Sequence, residues 1–218
     1  MTTTDRVSKI LNQEPVSEGK FSGNGEGYLA FNDAGVECEV GEFLYGMVRI
    51  LKPQFVMETG THRGISTLYL ALAMADNGFG TIDTIEFIPE HYEYSNQLFR
   101  SSSEISKHIN NIRGDATKWQ PESGRRYQMA LLDTEPQLRF AEFVRYFDYF
   151  TEGGYIFIHD LHRHLGQVEN KEHGFAWPWG RLPGNMKRRM EEGQVRPFYF
   201  STPRGLSGFY KVSPEDFK

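Results

Sequence analysis

The chain has a single cysteine, Cys38, no apolar run long enough for a membrane helix, and no surplus of positive charge. One cysteine cannot form an internal disulfide, so a reducing, cytoplasmic setting is expected. The opening MTTTDRVSKI has no apolar segment of the signal-peptide kind. A membrane span would need about 20 consecutive apolar residues, and the sequence offers none. With 24 Lys+Arg against 29 Asp+Glu the net charge is −5, which leaves no electrostatic footprint for nucleic acid or an anionic membrane. Neither repeats nor low-complexity tracts are found. What remains is 218 residues, 39% hydrophobic and 14% aromatic, enough for one globular domain with a small molecule as the expected partner.

Periodicity divides the chain. Residues 1–35 read as an N-terminal arm, with an amphipathic start at Val7, Ile10 and Leu11 followed by a glycine-rich stretch. From Glu39 to Leu51, Val40, Phe43, Leu44, Met47, Val48 and Leu51 fall on one helical face, and Pro53 ends the helix. Strands are predicted at 54–60, 81–87, 109–115, 127–133 and 155–160, with helices at 65–76, from Pro89 onward and at 138–150, and a turn at Gly153-Gly154. This alternation over 36–160 defines a doubly wound, Rossmann-like α/β core around a mostly parallel sheet. A polar segment, 161–194, carries Trp177, Trp179 and the basic helix NMKRRMEE, and reads as an insertion or lid. The closing runs, within 195–213, predict an antiparallel hairpin at the C-terminal edge, where Pro197 is tolerated.

Ligands of open α/β sheets bind beyond the carboxyl ends of the strands. Those ends read Glu58-Thr59-Gly60-Thr61-His62-Arg63-Gly64-Ile65-Ser66-Thr67, then Glu86-Phe87, Gly114-Asp115-Ala116, Asp133, and His159-Asp160. Gly60 and Gly64 permit a tight turn and close approach to a ligand, and Ser66 and Thr67 open a helix whose free N–H groups suit an anion. Glu86 is placed to accept hydrogen bonds from ribose hydroxyls, with Phe87 beside it for an adenine face. Asp115 could take an adenine amino proton; its plain alternative is a turn cap.

In these motifs, from EVGEFLYGMVRILKP through METGTHRGIST, TIEF, RGDA and MALLD to YIFIHD, the chain resembles the class I S-adenosylmethionine-dependent methyltransferases. More narrowly it is similar to the divalent-metal-dependent small-molecule O-methyltransferases of the catechol and caffeoyl-CoA type. The resemblance implies a seven-stranded sheet. It implies that Glu58, Gly60 and Ser66, with Thr61 and Gly64 in the same turn, hold the methionine part of the cofactor. Glu86 would take the ribose, Phe87 and Ala116 would flank the adenine, and Asp115 would read its amino group. Asp133 and Asp160 would bind Mg²⁺ and grip the acceptor hydroxyl, with Asp133 also bordering the cofactor. Where such enzymes carry an Asn after the second metal carboxylate and a Lys shortly after the first, this chain has Leu161 and Thr134-Glu135-Pro136-Gln137. His159 and His162, with His164 nearby, are candidate bases or further ligands in their place.

The expected activity is therefore methyl transfer from S-adenosylmethionine to a hydroxyl of a small molecule, with possible homodimerisation. Metal-free methylation of another nucleophile and an NAD-type oxidoreductase remain alternatives. Phe21 to Phe31 and the aromatics His173, Phe175, Trp177 and Trp179 are candidate lids over an acceptor.

Overall fold

The strands are built from residues that alternate between two apolar faces. In the computed structural model, which describes residues 1–18, 27–161, 184–200 and 202–217, Val56, Met129, Leu131 and Phe157 join one buried cluster and Met57, Ala130, Leu132, Ile156 and Ile158 the other. A period of two with both faces buried requires helices on both sides.

The chain runs α1 (Thr3–Leu11), β1 (Val16–Glu18), β2 (Tyr28–Ala30), α2 (Cys38–Leu51), β3 (Phe55–Thr59), α3 (Ile65–Asn77), β4 (Thr81–Glu86), α4 (Pro89–Ser101), β5 (Ile109–Arg113), β6 (Tyr127–Leu132), α5 (Arg139–Tyr146), β7 (Phe150–His159), α6 (Gly184–Glu191), β8 (Val195–Phe200) and β9 (Leu206–Lys211). Seven strands form one sheet in the order β5-β4-β3-β6-β7-β9-β8, parallel throughout except for β9. The reversed strand thus lies inside the sheet and β8, with Pro197, is the edge; proline's missing N–H costs no ladder bond there.

α1, α2 and α3 cover the first face. α3 is apolar nearly all round because it lies beneath its neighbours, and α1 is a folded part of the core, with Val7 buried and a capping box between Thr2 and Asp5. α5 covers the second face with Phe140 and Phe143. The expected turn at Gly153-Gly154 is an irregularity inside β7: the pairing passes from Tyr127 with Phe150 to Met129 with Tyr155. Strand and bulge are hard to separate by pattern, because glycine punctuates both. No helix among the described residues is long and apolar enough to cross a membrane.

Candidate active site

β3 is flanked by β4 on one side and β6 on the other, both parallel to it, so chain connections leave in opposite directions and a crevice opens at its carboxyl end. Gly60 and Gly64 both have positive φ, 83° and 80°. A Cβ on Gly60 would lie 2.3 Å from the Asp133 carbonyl oxygen, so only glycine lets β3 turn beside β6. Gly64 caps α3 without a side-chain hydrogen bond, and no acidic residue stands in the first turn. The first N–H groups of α3 and its positive dipole end are therefore available to an anion.

Glu58 lies under this turn with no exposed surface. Its Oε2 accepts from the hydroxyls of Thr67 (2.5 Å) and Thr84 (2.6 Å). Burial pushes its carboxyl pKa up. Thr61 pairs with Thr84 at 2.6 Å. Ser66 is buried alongside.

On the β4 side, Glu86 accepts from the backbone N–H of His62 (2.6 Å) and of Ile88 (2.7 Å), which clamps the strand end between two loops. Phe87 beside it is 69% exposed. Asp115 follows its plainer alternative as far as its protein contacts go: Oδ1 accepts from the Thr117 N–H (2.9 Å) and hydroxyl (2.6 Å), and Oδ2 meets Lys118 at 2.8 Å. The Lys118 and Thr117 hydrogen bonds hold its pKa down at about 2. Ala116 is buried, and its carbonyl accepts from the Tyr146 hydroxyl.

On the β6 and β7 side the acidic residues form an ion cluster. Asp133, His159 and Asp160 each bring one ligand atom within 4.8 Å of the others, a donor set that by itself suits a divalent cation. The surroundings change that reading. Arg139, from the start of α5, places NH2 3.0 Å from Asp133 Oδ1 and 3.2 Å from Asp160 Oδ2, and NH1 donates to the His159 carbonyl. Arg204, in the turn between β8 and β9, forks onto Asp160 with Nε at 2.9 Å from Oδ1 and NH2 at 3.1 Å from Oδ2. His159 is wholly buried, with Nδ1 3.2 Å from Asp133 Oδ1 and Nε2 2.6 Å from Glu37 Oε2, and Glu37 is equally buried. Burial alone would lower the imidazole pKa, but Asp160 and Asp133 raise it to about 10. Burial would raise Glu37, yet the hydrogen bond and charge of His159 bring it below the usual carboxylate value. Asp160 is likewise lowered, against its burial, by His159, Arg139 and Arg204. Three carboxylates thus face two guanidiniums and a doubly donating imidazole. The cluster is neutral as it stands, and a divalent cation added to it would sit among fixed positive charges. Leu161 supplies no donor. These residues do not fit a resident divalent metal.

Of the expected site residues, Glu58, Gly60, Thr61, Gly64, Ser66 and Glu86 converge on the β3–β4 half of the crevice, and Asp133, His159 and Asp160 on the β6–β7 half. His162, His164 and the aromatics at 173–179 lie outside the described residues. His159 has neither exposed surface nor a free ring nitrogen, so it holds the site together from behind. Glu37, Arg139, Arg204 and Glu142 were not singled out by pattern. Glu142 accepts from Thr59 and Thr134, both at 2.7 Å, and ties the two strand ends to α5.

The sheet order and the switch point define a Rossmann-like methyltransferase fold. Residues 57–161 match the family model described as a methyltransferase domain. Solved structures with this fold include the S-adenosylhomocysteine-bound methyltransferase PaMTH1 of Podospora anserina, 15% identical over 97% of this chain and 96% of that one, with a TM-score of 0.65. An O-methyltransferase of Bacillus cereus, also in complex with S-adenosylhomocysteine, is 17% identical over 96% and 90%, with a TM-score of 0.66. A putative caffeoyl-CoA O-methyltransferase of Staphylococcus aureus is 16% identical over 81% and 85%, with a TM-score of 0.65. No curated protein sequence matches the chain significantly. Residues 57–161 thus match a methyltransferase domain, and the chain has the fold of these S-adenosylhomocysteine-bound methyltransferases.

Proposed function

We propose that the protein methylates a hydroxyl group of a small molecule, with S-adenosylmethionine as donor. The observation that carries this reading is the pairing, across one crevice, of an uncapped helix N-terminus behind two positive-φ glycines with a clamped acid, Glu86, next to an exposed aromatic, Phe87. These features suit the carboxylate, ribose and adenine of the donor. The bound donor supplies an electrophilic methyl on a sulfonium. Gly60, Gly64 and the start of α3 hold its amino-acid end, with Ser66 and Thr61 shaping the floor and Glu58 supporting that floor from below. Glu86 takes the ribose, and Phe87 and Ala116 border the base near Asp115.

The chain's task at the acceptor is orientation and proton removal. Asp133 and Asp160 keep 11% and 13% of their side chains exposed, whereas Glu37 and His159 keep none. The contacts of the Asp133 carboxylate with described residues fall on Oδ1, which leaves Oδ2 to accept the hydroxyl proton as the oxygen–methyl bond forms. Arg139 and His159 fix the direction of that carboxylate.

The test is incubation of the purified protein with S-adenosylmethionine and a panel of catechols, sugars and polyketide hydroxyls, reading S-adenosylhomocysteine release and the methylated product. Turnover with a hydroxyl acceptor supports the reading. Turnover confined to amine or thiol acceptors contradicts the hydroxyl assignment.

A further inference from the structure

We infer that the Arg139 guanidinium occupies the position between Asp133 and Asp160 that a divalent cation would need, so that this crevice works without a bound metal. The inference rests on the proposed methyl transfer but concerns a different property of the same site.

Three observations carry it. First, one nitrogen of Arg139 bridges the two carboxylates, at 3.0 and 3.2 Å, while its Nε donates to the Thr134 carbonyl at 2.7 Å and its NH1 to the His159 carbonyl. Every nitrogen of the fork is used, so the group is built into α5 and both strand ends rather than resting on the surface. Second, Arg204 takes both oxygens of Asp160, and its own N–H and Nη1 are tied to Glu37 (2.9 Å) and to the Gly35 carbonyl (2.5 Å). Asp160 therefore has both oxygens engaged by fixed cationic donors. Third, Asp160 itself sits at φ 53°, a left-handed conformation unusual for a non-glycine residue, at the point where its carboxylate meets both arginines.

A rigid guanidinium suits this place because it is always charged and its fork matches carboxylate geometry. It supplies one positive charge between two acids, which removes the repulsion that otherwise makes such a pair a cation site. What it cannot supply is an open coordination position for an acceptor oxygen. Arg139 and Arg204 are thus positioning residues: they set the carboxylates so that Asp133 meets the acceptor.

The test is titration of the full-length protein with Mn²⁺, followed by calorimetry and by the Mn²⁺ spin-resonance signal, with S-adenosylhomocysteine present at saturation. Binding of S-adenosylhomocysteine is measured first, so a failure of the methyltransferase reading is seen separately from a failure of this one. The wild type is expected to show no one-to-one Mn²⁺ site tighter than about 1 mM. Arg139→Gln, which removes the charge and keeps much of the shape, is expected to bind Mn²⁺ at least about tenfold more tightly, since the two neighbouring carboxylates then lose the one cation that bridges them. Arg139→Lys should stay as insensitive as the wild type. A stoichiometric, micromolar Mn²⁺ site in the wild type that Asp160→Asn abolishes would overturn the inference. The wild-type titration decides the matter even if the Arg139 variants fold poorly.

Discussion

The backbone N–H of Arg204 donates to Glu37 Oε1 at 2.9 Å across 167 residues of sequence, and the other oxygen of the same carboxylate holds His159. The turn of the C-terminal hairpin and the residue that precedes α2 therefore meet behind the β7 strand end. The hairpin is a structural wall of the site as well as the end of the sheet.

Removing that wall's charge should be costly. Arg204→Ala keeps the backbone N–H that serves Glu37 but leaves the buried Asp160 without its forked donor, and a loss of about 3 kcal/mol in unfolding free energy is expected. Denaturant unfolding checks it, and a change under about 0.5 kcal/mol would show that solvent already satisfies Asp160.

How far the sequence reveals this arrangement depends on distance along the chain. The strands, the order of helices and the acids at the strand ends were legible, because periods of two and 3.6 are local signals and chemistry in this fold gathers at strand ends. Glu58, Gly60 and Glu86 fall where the pattern puts them. Arg139 and Arg204 were not legible as partners of Asp133 and Asp160: one sits at the start of a surface helix and the other in a turn, and nothing local distinguishes an arginine that folds inward from a solvated one. The acids alone read as a metal pair. Their neutralising cations become visible only when β7, β9 and α5 are assembled. His159 likewise reads as an available imidazole until Glu37, 122 residues away, is seen to occupy its Nε2.

Gly60→Ala should impair both stability and donor binding. The positive φ and the approach to the Asp133 carbonyl leave no room for a Cβ, so a destabilisation above about 2 kcal/mol is expected. Thermal unfolding with and without S-adenosylhomocysteine checks it; a folded variant with unchanged ligand-induced stabilisation would contradict the role given to this turn.

Glu58→Gln should leave S-adenosylhomocysteine affinity within about threefold of wild type, because a carboxyl held beneath the turn and pushed toward its neutral form is closely mimicked by an amide. A loss of affinity beyond about tenfold would mean that the Glu58 charge is felt directly by the ligand.

His159→Phe should destabilise the fold by about 3 kcal/mol, since it leaves the buried Glu37 carboxylate without its cationic donor. Combining it with Glu37→Leu should recover part of that loss, and strictly additive effects in the double variant would show that the two residues are not coupled.

The central claim is that this crevice is a donor site for methyl transfer, and the most direct measurement is calorimetric titration of S-adenosylhomocysteine into the wild type and into Glu86→Ala. The account predicts one-to-one binding at about micromolar affinity in the wild type, weakened at least about tenfold in a Glu86→Ala protein that unfolds at a similar temperature. Absence of binding to the wild type, or equal affinity in the two proteins, would contradict it.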